Sequence, residues 1–464
     1  MRHYARSRAW CEWDEFDDWH ARATATLADP QAAALSPFQL LSLPGISATQ
    51  QHACATRWMA ARLHASSADR ALLADEFAAA ARAPTLPAAA AAHAPPRIRL
   101  GYLSGDFQQH ATALLMVEML EAHDAQGFEL HAYSYGADDD SGMRGRLRAR
   151  FERFTDIAAL DDLAAARLIN ADGIDILVDL KGYTAGTRTA LLTYRPAPLQ
   201  VSFLGYPGTL GGSFCDYLVS DGFVTPHAAA GDYSEALARM PHSYQPHGRP
   251  APAGRALTRA DAGLPEHAFV FCCFNQAYKF TPGMFDVWCD LLARTPGSVL
   301  WLLASEQAEG NLRREAMRRG VAPHRLVFAP HLPQDAHLAR LPLADLVLDT
   351  SPYNAHTTAS DALWAGVPVL TCAGSTFASR VAGSLLHAVG LAELVTQSLA
   401  DYAALALALA ADPARLRALR ARLDAQRLDA PLFDVAAYTL ALESLYTQMW
   451  RRHRAGLAPQ ALAT

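Results

Sequence analysis

Two loops of this 464-residue chain carry residue types suited to holding a phosphate, and a third carries a histidine suited to ordering or deprotonating a hydroxyl. The first is Asn275-Gln276-Ala277-Tyr278-Lys279, which follows the apolar run Phe269 to Phe274 and precedes Thr281-Pro282, the opening of a helix. An ammonium just past a parallel strand can neutralise a phosphate charge. The second runs from Asp349 through Ser351-Pro352-Tyr353-Asn354-Ala355-His356 to Asp361. Here a strand ends, a loop turns, and a helix is predicted to begin near Thr357 or Thr358. Thr358 and Asp361 have the spacing of a capping box. The unbonded amides and positive end of such a helix suit an anion, and His356 would face whatever binds there. Taken singly, Lys279 also reads as a solvated lysine and the helix start as an ordinary cap. At the same end of one parallel sheet the two loops point together to a phosphate.

The third loop, Ser104-Gly105-Asp106-Phe107-Gln108-Gln109-His110, also follows a strand. A histidine there can order an acceptor or take its proton near neutral pH. His331-Leu332-Pro333-Gln334-Asp335-Ala336-His337 offers an imidazole for stacking on a planar base. The histidines have no spacing that demands a metal, and none is expected. Glycines in Lys181-Gly182-Tyr183 and Gly205-Tyr206-Pro207-Gly208 allow close backbone approach to a ligand, although turn chemistry explains them equally well.

These loops need strands and helices to hold them. Strand candidates Ile98–Ser104, Phe128–Ser134, Ile174–Asp179 and Leu199–Phe203 alternate with helices of 10–15 residues. The pattern restarts with Phe269–Phe274, Ser298–Leu303, Arg325–Phe328, Asp345–Asp349 and Val367–Thr371. Such alternation predicts two doubly wound α/β units in tandem, with ligands facing the carboxyl ends of the strands. The expected division is a helical leader with a Pro/Ala linker over 1–96, one lobe over 97–255, a second over 256–428, and a C-terminal helical segment over 429–464 that packs back on the first lobe.

Composition narrows the class. Forty basic against forty-six acidic residues give a net charge of −6, which argues against a polyphosphate surface and hence a nucleic-acid partner. Hydrophobic residues at 51% are too many for a disordered chain. With no uncharged apolar run of 18 residues, neither a membrane partner nor a membrane span is expected, and the cytoplasm is the default location. The seven scattered cysteines read as buried free thiols. G-x-G-x-x-G and Walker-type loops are missing, which fits poorly with dehydrogenases or P-loop enzymes.

Read together, the loops resemble the catalytic region of protein O-GlcNAc transferases. The matching stretches include GYLSGDFQQHATALLM (101–116), DGIDILVDLKGYTAGTR (172–188), RPAPLQVSFLGYPGTLGG (195–212), FNQAYKFTPGMFDVW (274–288) and LADLVLDTSPYNAHTTASDALWAGVPVLT (343–371). The resemblance implies a GT-B fold of two Rossmann-like domains. It also implies an inverting transferase that needs no metal or other cofactor and moves N-acetylglucosamine from UDP-GlcNAc to serine or threonine hydroxyls of a protein or peptide. It assigns Lys279, with Asn275 and Gln276, to the donor diphosphate, and His356, Thr357 and Thr358 to the phosphate-binding helix start. Asp361 is assigned to the ribose, His337 to the uracil, and Leu332 to the same UDP site. Tyr278, Tyr353, Leu204 and Gly205 would line the sugar pocket. His110 would stand between sugar and acceptor, and Asp172 in a proton relay. Gln334 stands where animal members carry a lysine, and Tyr353 where they carry a smaller residue. The long insertion between lobes and the tetratricopeptide array of those members are missing from this chain, features that suggest a bacterial origin. A transferase using another nucleotide sugar, such as GDP-fucose, and a non-catalytic nucleotide-sugar-binding module are the alternatives.

Overall fold

A computed structural model describes residues 2–82, 97–250 and 257–464. The chain divides into two compact units, one built on 49–248 with 36–38 and 435–464, the other on 249–434 with 1–35 and 39–48.

In the first unit seven strands follow in order: β1 (Ile98–Ser104), β2 (Phe128–Ser134), β3 (Arg153–Asp156), β4 (Ile176–Asp179), β5 (Leu199–Ser202), β6 (Tyr217–Asp221) and β7 (Ala236–Met240). With a short strand at Leu462–Ala463 on the β7 edge they form one sheet, ordered β7-β6-β5-β4-β1-β2-β3, every described pair parallel. All four residues of β4 and of β5 are buried, and β1 exposes only Arg99. That explains why β4 reads as an apolar run up to its closing aspartate and why β5 buries even Gln200 and Ser202: helices cover both faces of the sheet. Register aligns Leu103 with Asp179, so β1 and β4 end level with each other. Helix Val435–Arg454 completes this unit. Its Glu443 carboxylate contacts the buried His123 ring at 2.9 Å, and the other His123 nitrogen meets the Tyr102 hydroxyl at 2.9 Å.

The second unit holds β8 (Val270–Cys273), β9 (Val299–Leu303), β10 (Leu326–Ala329), β11 (Leu346–Leu348), β12 (Val369–Cys372) and β13 (Val395–Thr396), in the order β10-β9-β8-β11-β12-β13. Winding outward in both directions from a central pair is the doubly wound arrangement. Its ligand crevice lies where the order reverses, beyond the carboxyl ends of the two central strands. In this sheet that point is β8/β11; in the other it is β1/β4. The core is closed by Trp288, Trp301, Phe271 and Phe280, each under 2% exposed.

The helical leader is not a body of its own. Its described helices, Arg2–Ala9, Phe16–Ala28, Pro37–Leu40, Ala48–Ala65 and Ser67–Arg82, are shared between the units. Arg318 pairs with Asp14 at 2.9 Å in one unit, and Arg167 with Glu76 at 2.9 Å in the other. The Pro/Ala linker over 83–96 lies outside the described residues, as do 251–256 of the second expected boundary.

Candidate active site

The donor-side residues gather where β8 and β11 end. After β8 the chain makes one 3-10 turn, Ala277–Lys279, closed by the Lys279 amide on the Gln276 carbonyl at 2.9 Å. Thr281 then caps helix Pro282–Arg294 by accepting the Met284 amide at 3.1 Å, with proline in the first turn where no amide is needed. Lys279 is therefore clamped between a strand end and a helix start. It is not a solvated lysine: it is 7% exposed, its Nζ donates to the Asn354 carbonyl at 2.7 Å, and it sits 3.8 Å from the Tyr353 ring centroid. Burial lowers its pKa to about 8, with the Asp349 carboxylate opposing that shift.

Asp349 organises the second loop. Oδ1 accepts the amides of Thr350 at 2.7 Å and Ala355 at 2.5 Å, and Oδ2 accepts the Thr371 hydroxyl at 2.6 Å. Asn275 joins by donating to Asp349 Oδ1 at 3.3 Å and to the Thr350 hydroxyl at 2.8 Å. The loop from 349 to 355 is thus drawn around one carboxylate, which presents the Asn354 carbonyl to Lys279. Burial raises the Asp349 pKa to about 6. Asn275 Oδ1, Asn354 Oδ1 and His356 Nε2 are buried without a hydrogen-bond partner. Buried polar atoms are satisfied in more than nine cases in ten, so three orphans around one lysine mark a place for a polar ligand.

The capping box expected from Thr358 and Asp361 does not form. Helix Thr357–Trp364 begins at the first of the two expected positions, but its cap is His356, two residues before Thr358, with no side-chain cap bond and Thr358 already inside the first turn. Among the described residues the Thr357 and Thr358 amides find no acceptor. A helix start left open in this way suits an anion. Burial, and then the Lys279 charge, hold the His356 imidazole well below its ordinary pKa, so it is neutral. Its ring lies 5.2 Å from Tyr353, which in turn lies 6.2 Å from Tyr278.

The remaining donor-side residues lie around this centre. His337 is on helix Gln334–Arg340 beyond β10, its ring 5.5 Å from Phe274 and one nitrogen 2.8 Å from Arg340. Burial and the Arg340 charge lower its pKa to about 4. Asp361 is buried, and its charge acts on His337. Gln276 and Leu332 are exposed and Gln334 is half-buried. A contributor not singled out from sequence is Arg8 of the leader. It is 3% exposed and donates to the Tyr278 carbonyl at 2.6 Å, bracing the lysine turn from behind. Nothing in the local sequence ties Arg8 to a residue 270 positions away.

In the other unit, His110 follows β1 and caps helix Ala111–Ala122. Leu204 and Gly205 follow β5. Leu204 takes a left-handed φ of 69°, a strain that clusters at functional positions. Gly205 is required by close approach: a Cβ there would run into the Leu180 carbonyl. Asp172 is not brought to this edge. It ends the helix before β4, at the opposite end of the sheet, with the whole strand (about 13 Å at 3.3 Å per residue) in between. Its carboxylate is held by Arg153 and, at 2.8 Å, by the Tyr133 hydroxyl, which explains it as a structural residue.

Among the described residues no group of three His, Cys, Asp or Glu side chains is placed to hold a metal ion. All seven cysteines are free and buried, and no described helix is long and apolar enough to cross a membrane.

Comparison with known proteins gives these loops a context. The chain is 40% identical over 379 residues to the probable UDP-N-acetylglucosamine–peptide N-acetylglucosaminyltransferase SEC of Arabidopsis thaliana, a match covering 78% of this chain and 38% of that protein. It is 31% identical over 475 residues to the UDP-N-acetylglucosamine–peptide N-acetylglucosaminyltransferase of Caenorhabditis elegans, covering 78% of this chain and 41% of the relative. The chain thus spans about two fifths of the length of these relatives. A mutant of the O-GlcNAc transferase of Thermobaculum terrenum superposes with a TM-score of 0.77 at 31% identity, over 90% of this chain and 76% of that one. The Anabaena HepE protein, solved with UDP and glucose, shares the fold alone, at a TM-score of 0.50 and 12% identity over 76% of this chain and 100% of that one. The two α/β units are thus of GT-B type. The model of glycosyl transferase family 41 matches residues 58–247 and 248–442, taking in both switch-point loop sets, and the chain belongs to that family.

Proposed function

We propose that this chain transfers N-acetylglucosamine from UDP-GlcNAc to serine or threonine hydroxyls of a protein or peptide, with inversion and without a metal ion. The observation that carries this reading is Lys279: a buried ammonium at a switch point, bonded to the loop that leads into an open helix start, with unsatisfied polar atoms on the same two loops. In the reaction the acceptor oxygen bonds to the anomeric carbon while the bond from that carbon to the β-phosphate oxygen breaks. The electron pair leaves on UDP, and the acceptor proton passes to a base. Lys279 and the Thr357 and Thr358 amides stabilise the charge developing on the diphosphate. His337 and Asp361 hold the nucleoside, Tyr278 and Tyr353 wall the sugar, and His110 serves the acceptor. Names of the relatives support the donor and the acceptor class.

Purified chain incubated with radiolabelled UDP-GlcNAc and a protein mixture should transfer label to serine or threonine. UDP at a hundred times its Kd should stabilise the fold by about 2.7 kcal/mol, and GDP by much less. Stabilisation by GDP alone would overturn the donor assignment, and UDP binding with neither transfer nor donor hydrolysis would make the chain a binding module.

Donor binding should also depend on pH. The diphosphate favours the charged lysine, so binding raises a pKa that burial has lowered to about 8. Affinity is then full below that value and falls as pH rises through it, approaching tenfold per pH unit. Calorimetry with UDP between about pH 7 and 9.5, above the range where the phosphate itself titrates, should show this fall, and Lys279→Met should flatten it.

A further inference from the structure

A buried ion pair lies at the other switch point. Asp106, just past β1, and Lys181, just past β4, meet with Nζ 2.7 Å from Oδ1, their side chains 7% and 10% exposed. The second oxygen of that carboxylate, Oδ2, stands 3.5 Å from Nδ1 of His110. The same Nδ1 accepts the Thr112 amide at 3.2 Å, because His110 is the N-cap of its helix. A ring nitrogen that accepts an amide hydrogen carries none itself, so the neutral imidazole holds its hydrogen on Nε2. Nδ1 therefore faces two opposite demands. The Thr112 amide needs its lone pair, whereas a bare carboxylate would draw a proton onto it.

Burial is the main reason this imidazole titrates below its ordinary value, and the Asp106 carboxylate opposes it. Lys181 weakens that opposition: it occupies Oδ1 and offsets the carboxylate charge, and its own charge, like the positive end of the helix, disfavours a proton on Nδ1. Within this unit Asp106 and Lys181 are the charges that act on the ring. Asp139 is turned to the Gln109 amide at 2.8 Å and Arg144 to the Phe107 carbonyl at 3.0 Å, and burial keeps the nearby Tyr135 phenol neutral.

We propose that Lys181, acting through Asp106, is a positioning residue that keeps His110 in its Nε2–H form, so that the ring offers substrate a hydrogen-bond donor rather than a base. The inference rests on the reading that His110 serves the reaction. The acceptor proton then leaves by another group, and the side chain 43% exposed at the loop tip orients rather than deprotonates.

Long-range proton–nitrogen correlation spectra of the full chain labelled with 15N-histidine test this, with His110→Gln identifying the signal. Wild type should show the Nε2–H tautomer and titrate below the ordinary value of about 6.5. Lys181→Met should bring a hydrogen to Nδ1 and raise the His110 pKa. Adding Asp106→Asn to that variant should restore the wild-type pattern. The acid limb of kcat/KM for transfer should move with the titration, which a purely structural role would not produce. An Nδ1–H tautomer in wild type, or an unmoved His110 titration in folded Lys181→Met, overturns the proposal. Should Lys181→Met fail to fold, Lys181→Gln, which keeps a donor to Asp106 but not the charge, takes its place: a raised His110 titration supports the proposal and an unmoved one overturns it. Normal transfer by His110→Gln would instead sink the reading of His110 as a reaction residue while leaving the ring-nitrogen result intact.

Discussion

Lys279→Met is expected to lower transfer from UDP-GlcNAc by about 10²–10³-fold, the cost of removing one preorganised group from developing charge in a dry site. Methionine fills nearly the same volume and leaves Asn354 and Tyr353 in place, so the fold should survive. The two losses should be separable. Ground-state UDP affinity loses one charge-assisted hydrogen bond, about 1.5–3 kcal/mol or roughly tenfold to a hundredfold in Kd. The rest appears in kcat, because the diphosphate carries more charge as the glycosidic bond breaks. Lys279→Arg should rescue little: a planar fork has no room between a carbonyl at 2.7 Å and a ring at 3.8 Å. Near-normal turnover by Lys279→Met, measured with labelled donor, would remove Lys279 from the reaction.

That lysine was legible because three local signals coincide around it: an apolar run, a polar loop, and a Thr-Pro helix opening. Its counterpart loop was legible for similar reasons. Strands β4, β8 and β9 are buried throughout and announce themselves as apolar runs, and β1 and β2 do so less cleanly, interrupted by Arg99 and by Glu129 and His131. Strand β7, Ala236-Leu237-Ala238-Arg239-Met240, does not, for alanine and arginine have little strand preference and only its neighbour β6 makes it a strand. The capping box failed because Thr358-x-x-Asp361 is a local pattern, whereas the helix start is set by the loop that Asp349 draws in from outside it. Asp172 misled in a related way. Its surrounding motif lies along β4, but the strand carries the two ends of that motif to opposite edges of the sheet. Arg8 lay beyond sequence reasoning altogether, being joined to Tyr278 only by the folded chain.

The least conspicuous of these contributors carries the second large effect. Asp349→Ala strips the acceptor from two backbone amides, the Thr371 hydroxyl and the Asn275 amide at once. Breaking one side of a buried charged network costs on the order of 3–5 kcal/mol, so the thermal midpoint should fall by roughly 10 °C and UDP binding should be lost with the loop. Asp349→Asn separates geometry from charge. It keeps one side-chain oxygen for the loop amides, so much of the stability should remain, but it removes the carboxylate that supports a proton on Lys279. The pH at which UDP affinity begins to fall should therefore move below about 8, and binding near neutral pH should weaken even in a folded protein. A variant in which stability drops while that midpoint stays put would make Asp349 a scaffold alone. A shifted midpoint would show that the carboxylate also keeps the lysine charged before the donor arrives, which is necessary because the donor needs that charge on entry.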